Sequence, residues 1–161
     1  MTEEMYNEIT TQAMKEGTEV LVFYIEDVLY AIDIKYVVEI IGMQPITQVP
    51  KIPEYIKGVI NIRGKVVPVM SVRKKFQLEE IEYTERTCII VVELNDISVG
   101  LIVDGVSEVL TVDSSEICHM MDYRKSNKNN YISNVIENKG DNKLLLDIEK
   151  LDLKEMSENI K

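Results

Sequence analysis

Histidine and cysteine are nearly missing from this sequence, tryptophan is absent, and long apolar runs do not occur. Its 161 residues hold one His, two Cys, two Phe and four Pro. The lone His119 sits beside Cys118. Neighbouring residues on a strand point to opposite faces, so these two are poorly placed to act as a thiolate–imidazolium couple. One His and two Cys do not fill a structural zinc site, no acidic run has calcium-loop spacing, and the seven glycines are dispersed rather than gathered into a phosphate-binding loop. Cys88 and Cys118 lie far apart in no metal-like spacing, which suits a reducing compartment better than a disulfide scaffold. The apolar runs, such as Cys88-Ile89-Ile90-Val91-Val92, are far below membrane-spanning length, and the opening Met1-Thr2-Glu3-Glu4 has no basic start. These absences point to a cytoplasmic chain with no catalytic residue, no cofactor and no bound metal.

What the sequence does have is acid and many short β-forming segments. Eighteen Lys and Arg against twenty-eight Asp and Glu give a net charge of −10, which repels phosphate backbones and anionic lipid, so neither nucleic acid nor direct membrane insertion is expected. Glu79-Glu80, or Asp104 with Glu108, are candidates for paired acid and base work, but solvated surface charge is the commoner explanation for such pairs. At this length a chain buries roughly 70% of its unfolded surface, enough for a stable core without staples.

Residues 1–18 are polar with scattered apolar positions and read as a mobile leader. From Val20 the texture changes. Val20–Ile25, Glu26-Asp27 and Val28–Ile32 read as two strands joined by a tight turn. Ile34–Ile41 is apolar at 34, 37, 38 and 41, one face of a short helix with Gly42 as a left-handed stop, although its β-branched residues suit a strand too. Pro45, Pro50 and Pro53 mark a loop. Tyr55–Ile62 and Lys65–Val72 form a second hairpin around Arg63-Gly64.

The same unit then recurs. At an offset of 69, Val22 meets Val91, Asp27 meets Asp96, Ala31 meets Gly100, Val37 meets Val106 and Glu39 meets Glu108. At an offset of 76, Tyr55-Ile56 meets Tyr131-Ile132, Val59-Ile60 meets Val135-Ile136, Gly64 meets Gly140 and Lys74 meets Lys150. A fixed offset reports architecture directly. Each copy offers about five short strands, and a small antiparallel sheet of that size removes its exposed edges by curling into a barrel.

One cation stands apart. Arg63 follows Gly58-Val59-Ile60-Asn61-Ile62 and precedes Gly64, so a guanidinium is presented at a turn between two apolar strands. Exposed arginine is often only solubilising. Its planar fork of donors also fixes carboxylates or carbonyls, and arginine is enriched among interface hot spots.

The run Tyr55-Ile56-Lys57-Gly58-Val59-Ile60-Asn61-Ile62-Arg63-Gly64-Lys65-Val66-Val67-Pro68-Val69 closely resembles the signature of CheW, the bacterial chemotaxis coupling family. Val37-Val38-Glu39-Ile40, Val103–Val109 and Leu145–Leu151 appear in the family's order, so the resemblance spans about residues 19–151. It implies an all-β fold with short helices, built as two intertwined five-stranded SH3-like barrels, from about 20–76 and 89–151, followed by a helical or frayed tail over 152–161. It implies a non-enzymatic adaptor that couples the cytoplasmic tip of methyl-accepting chemoreceptors to the regulatory domain of the histidine kinase CheA. Such an adaptor is recruited to membrane-associated receptor arrays. The alternatives are a CheW-like adaptor of another kinase pathway, serving motility or gene regulation, and a small β-barrel enzyme.

The resemblance places Val37, Glu39 and Arg63 at receptor-binding positions and Gly58 and Gly64 at turn-forming glycines beside them. Asp122 and Tyr123 fit an acidic-aromatic ending of the kinase contact. The sequence departs from the family at Ala31, Ser71, Asn134 and Cys118, the last of which stands where a basic residue is usual.

Overall fold

The computed structural model describes residues 17–119 and 131–159, in which eleven strands form two sheets. The strands are β1 Thr18–Ile25, β2 Val28–Asp33, β3 Val37–Gly42, β4 Ile56–Ile62, β5 Lys65–Ser71, β6 Cys88–Leu94, β7 Ile97–Val103, β8 Gly105–Val112, β9 Ile117–His119, β10 Ile132–Asn138 and β11 Asp141–Leu146. The first sheet has the order β8-β1-β2-β11-β10-β9 and the second β3-β6-β7-β5-β4. All pairs are antiparallel except β2 with β11 and β5 with β7. The fold is mostly β, two SH3-like sheets interwoven along one chain. Of the expected leader, only Gly17 and Thr18 are described, and Thr18 opens β1.

The interweaving comes from the leading hairpin of each copy. Hairpin β1–β2 sits beside β8 and β11, while β6–β7 sits beside β3 and β5. The registers of the two sheets match residue for residue. Val22 lies opposite Ala31 and Glu108, and its counterpart Val91 lies opposite Gly100 and Glu39. Both sheets bulge at the same place, since the β1–β8 ladder skips Ser107 and the β3–β6 ladder skips Val38. A second pair of bulges skips Lys57 in β4 and Ser133 in β10. Bulges bend a strand and strengthen its twist, which curls each short sheet about its own core.

Each sheet encloses a small apolar cluster, with Val20, Val22, Leu110 and Ile136 in the first and Ile60, Val67, Ile89 and Val91 in the second. The largest core lies between the sheets, where Leu21, Phe23, Ile90, Val92, Leu101 and Ile148 meet. Strand alternation explains the division. Odd and even residues of β1 and β6 serve different cores, so these strands are apolar on both faces and read as unbroken hydrophobic runs.

Two local expectations change. Ile34–Tyr36 is a single 3-10 turn capped by Asp33, whose carboxylate accepts the Lys35 N–H at 3.0 Å, and Val37–Gly42 is strand rather than helix. Pairing with β6 wins over the helical spacing because Val and Ile lose little in a sheet. Gly42 consequently has no left-handed angle, and neither has Asn134. At the other end, Leu153–Asn159 forms a helix that packs on β7 and buries Leu153 and Met156.

Candidate functional site

Arg63 and Glu39 meet across the ends of the second sheet. Glu39 lies on β3, one edge, and Arg63 in the turn from β4, the other edge, into β5. The Arg63 Nη2 donates to Glu39 Oε2 at 3.2 Å. This contact links the two edge strands where the sheet curls round. The side chain of Arg63 is 81% exposed and that of Glu39 only 22%. An ion pair so wet adds about 0–1 kcal/mol to stability, so its value lies in orientation. Glu39 engages one nitrogen and leaves the remaining donors of the fork facing water, available to a carboxylate or a row of carbonyls.

The turn that carries Arg63 is strained toward this presentation. Arg63 has φ 51° and Gly64 φ 81°, consecutive left-handed residues of the kind that match the twist of a two-residue hairpin. The Gly64 N–H donates to Asn61 Oδ1 at 3.0 Å and closes the turn. Around the pair the surface is apolar, since Val38 and Ile40 of β3 and Val66 of β5 are 50%, 45% and 57% exposed. Val37 is half-buried at the start of β3 and packs against the inter-sheet core. Gly58 lies within β4 beside the bulge and not in a turn. Its φ is 143°, and an added Cβ would come 2.1 Å from the Thr47 carbonyl oxygen. The glycine is required because Thr47 and Val59 exchange backbone hydrogen bonds at 2.9 Å in both directions.

The structure therefore brings Glu39 and Arg63 together, with Val37 and Gly58 on the strands that carry them. Asp122 and Tyr123 lie outside the described residues. Cys118 and His119 fall on the short strand β9, and Cys118 is exposed. Burial pushes the Cys88 thiol up, which disfavours its thiolate. Among the described residues no group of His, Cys, Asp and Glu has metal-binding geometry.

The strongest polar contact was not foreseen. Arg73, which opens the basic run Arg73-Lys74-Lys75, is only 5% exposed. Its Nε and Nη2 donate to the two oxygens of Asp104 at 2.9 and 2.6 Å, and its Nη1 donates to Glu26 Oε1 at 2.9 Å and the Glu79 carbonyl at 3.0 Å. Asp104 also accepts the Glu26 N–H at 2.7 Å. Asp104 is thus no solvated surface charge, since its side chain is largely buried and its partners are Arg73 and the Glu26 N–H. Burial pushes its carboxyl up, but the Arg73 and Glu26 hydrogen bonds and the Arg73 charge outweigh this and hold it below the usual carboxylate range. The network ties the β1–β2 turn to the crossover from β7 to β8, so it locks one sheet to the other.

Comparison with known proteins agrees with this architecture. The CheW-like domain family matches residues 19–154. Chemotaxis protein CheW of Bacillus subtilis is 44% identical over 107 residues, 66% of this chain and 69% of that one. Chemotaxis protein CheW of Klebsiella aerogenes is 36% identical over 135 residues, 84% of this chain and 81% of that one. Protein PilI of Pseudomonas aeruginosa is 37% identical over 60 residues, 37% of this chain and 34% of that one. The crystal structure of scaffolding protein TtCheW from Thermoanaerobacter tengcongensis superposes with a TM-score of 0.75 at 29% identity, covering 81% of this chain and 88% of that one. With the interwoven double sheet and a family match over most of its length, this chain belongs to the CheW-like family of chemotaxis adaptor and scaffold proteins, which are not enzymes.

Proposed function

We propose that this chain is a cytoplasmic adaptor that couples the tip of methyl-accepting chemoreceptors to a CheA-like histidine kinase at membrane-associated receptor arrays. The observation that carries the receptor contact is the Glu39–Arg63 pair, a largely exposed guanidinium held in place at an apolar rim. Val37, Glu39 and Arg63 form the receptor-binding residues. Gly58 and Gly64 shape the strand and turn that carry them, and Asp122 and Tyr123 serve the kinase contact. Among the described residues no helix is long and apolar enough to cross a membrane, so the receptor would bring the adaptor to the bilayer.

An adaptor works by holding two partners at once, so affinity is the function and turnover is absent. The Klebsiella aerogenes chemotaxis protein matches 135 residues, whereas Protein PilI, which is not named for chemotaxis, matches only 60. That difference favours chemotaxis. The direct experiment is reconstitution of purified chain with a receptor signalling fragment and the kinase regulatory domain, read by size-exclusion chromatography. The expected result is a ternary complex that contains all three. Binding to neither partner alone would reject the adaptor reading.

A further inference from the structure

Asp104-Gly105 is the one Asp-Gly step in the sequence, and no Asn-Gly occurs. An aspartate is chemically most fragile before glycine, which has no Cβ to shield its nitrogen from the neighbouring side chain. In that reaction the main-chain nitrogen of Gly105 attacks Cγ of Asp104 in its acid form. An N–Cγ bond forms, the C–OH bond breaks, and the hydroxyl leaves with the amide proton as water. Water then opens the cyclic imide at the former peptide carbonyl, which leaves isoaspartate with the chain running through Cγ. Mass is unchanged, and no oxidant or cofactor is consumed.

Packing compels both residues. A Cβ at Gly105 would fall 2.2 Å from Tyr24 Oη and 2.4 Å from its Cζ, so any larger residue would displace that ring. Asp104 is compelled by Arg73, whose buried fork needs a carboxylate at this place. At the offset of 69 the other copy has Lys35-Tyr36 here, so the fragile pair is no part of the shared scaffold.

The surroundings oppose the reaction. Asp104 Oδ1 accepts from Arg73 Nε at 2.9 Å, and Oδ2 accepts from Arg73 Nη2 at 2.6 Å and from the Glu26 N–H at 2.7 Å. Arg73 is held in turn by Glu26 Oε1 and the Glu79 carbonyl. The donors belong to the β1–β2 turn and to the short helix Val72–Lys75 after β5. Ring closure brings Cγ to bonding distance of the Gly105 nitrogen, and that movement pulls both oxygens off donors fixed in two other segments. Burial pushes the carboxyl up, but the Arg73 and Glu26 hydrogen bonds and the Arg73 charge hold it below the usual range, so the reactive acid form is scarce. We propose that Asp104-Gly105 is a latent isomerisation site, and that the cradle of Arg73 and Glu26 keeps it closed in the folded chain. Isoaspartate would add a main-chain carbon at the β7–β8 crossover and move the carboxylate away from the Arg73 fork. The conversion therefore unlocks the two sheets in one direction only.

The test ages the full chain at physiological temperature and pH and measures isoaspartate at each position by peptide digestion and electron-transfer mass spectrometry. Parent protein, parent in urea, Arg73→Lys and Arg73→Ala are compared, with circular dichroism recording that each variant is folded. Asp113, exposed and followed by Ser114, lies outside the cradle and serves as the internal control. Folded parent should convert at Asp104 at least about tenfold more slowly than parent in urea, because a neighbouring cation depresses the acid form by about that much or more. Arg73→Lys keeps the charge without the fork and should convert faster than the parent, and Arg73→Ala faster again. In the folded variants Asp113 should keep its parental rate, which separates loss of the cradle from general loosening. Equal rates for folded parent and parent in urea would overturn the proposal. So would a folded Arg73→Lys protein no faster than the parent, or a rise at Asp113 in parallel with Asp104.

Discussion

Glu39 and Glu108 occupy the same register position in two sheets, and only one of them has a partner in the opposite turn. Glu39 meets Arg63 at 3.2 Å, whereas among the described residues no ion pair joins Glu108 to Lys139, the counterpart of Arg63. The turns themselves are alike, since Lys139 and Gly140 have φ 53° and 80° against 51° and 81° for Arg63 and Gly64. Backbone geometry was therefore kept in both copies while side-chain chemistry diverged. Arginine's fixed fork holds a carboxylate in a defined direction, and lysine's single ammonium on a flexible stem does not. The copies share a scaffold, and one of them carries the oriented guanidinium.

The same divergence is larger in the interior, and the largest predicted effect follows from it. Arg73 is buried with three acceptors, while its counterpart Glu149 is exposed. Arg73→Ala strips Asp104 of its partner and should cost about 3–5 kcal/mol of unfolding free energy in urea. Glu149→Ala should stay within about 0.5 kcal/mol of the parent. Comparable losses in both variants would mean that the network is not the lock between the sheets.

Gly58 and Asn134 make a second contrast at matched bulges. Gly58 is pressed against the Thr47 carbonyl, and Asn134 already carries a side chain. Gly58→Ala should destabilise by about 1–3 kcal/mol, since both the angle and the contact are unfavourable to a Cβ. Asn134→Ala should cost about 1 kcal/mol or less. Thermal melts of the pair decide whether the two bulges are equivalent in constraint as they are in register.

The smallest of these effects is pH-dependent. Asp104 has a folded-state pKa below its unfolded value, so the stability it contributes is present above about pH 4, the ordinary unfolded value, and is lost as pH falls through the lower folded pKa. Urea midpoints measured from about pH 5 down to pH 2 should fall less steeply in Asp104→Asn than in the parent. Parallel slopes would show that other carboxylates govern acid unfolding.

Much of this was legible in the sequence. The two offsets, the Glu26-Asp27 and Arg63-Gly64 turns and the apolar strands all carry short-range signals, and tight hairpins are local by nature. Which sheet each hairpin joins was not legible. Val22 and Val91 show the same offset whether their hairpins stay with their own copy or change places. Val37–Gly42 satisfies a helical spacing and a strand composition together, and only its pairing with β6 decides. Arg73 and Asp104 lie 31 residues apart, and next to Lys74 and Lys75 the arginine looks like one more surface cation. The Glu39–Arg63 contact is similar: the sequence nominated both residues, through resemblance, but gave no reason for them to touch.

In the proposed function Arg63, and not its counterpart Lys139 in the other copy, recognises the receptor. The measurement is isothermal titration of a receptor signalling fragment into the parent chain, Arg63→Ala, Arg63→Lys and Lys139→Ala, with melting temperatures recorded for each. Arg63→Ala should lose about 1.5–3 kcal/mol of binding, roughly ten- to more than a hundredfold in affinity, while remaining folded. Arg63→Lys should stay impaired, because lysine restores charge without the planar fork, and Lys139→Ala should bind like the parent. Unchanged receptor affinity in a well-folded Arg63→Ala protein, or an equal loss in Lys139→Ala, would contradict it.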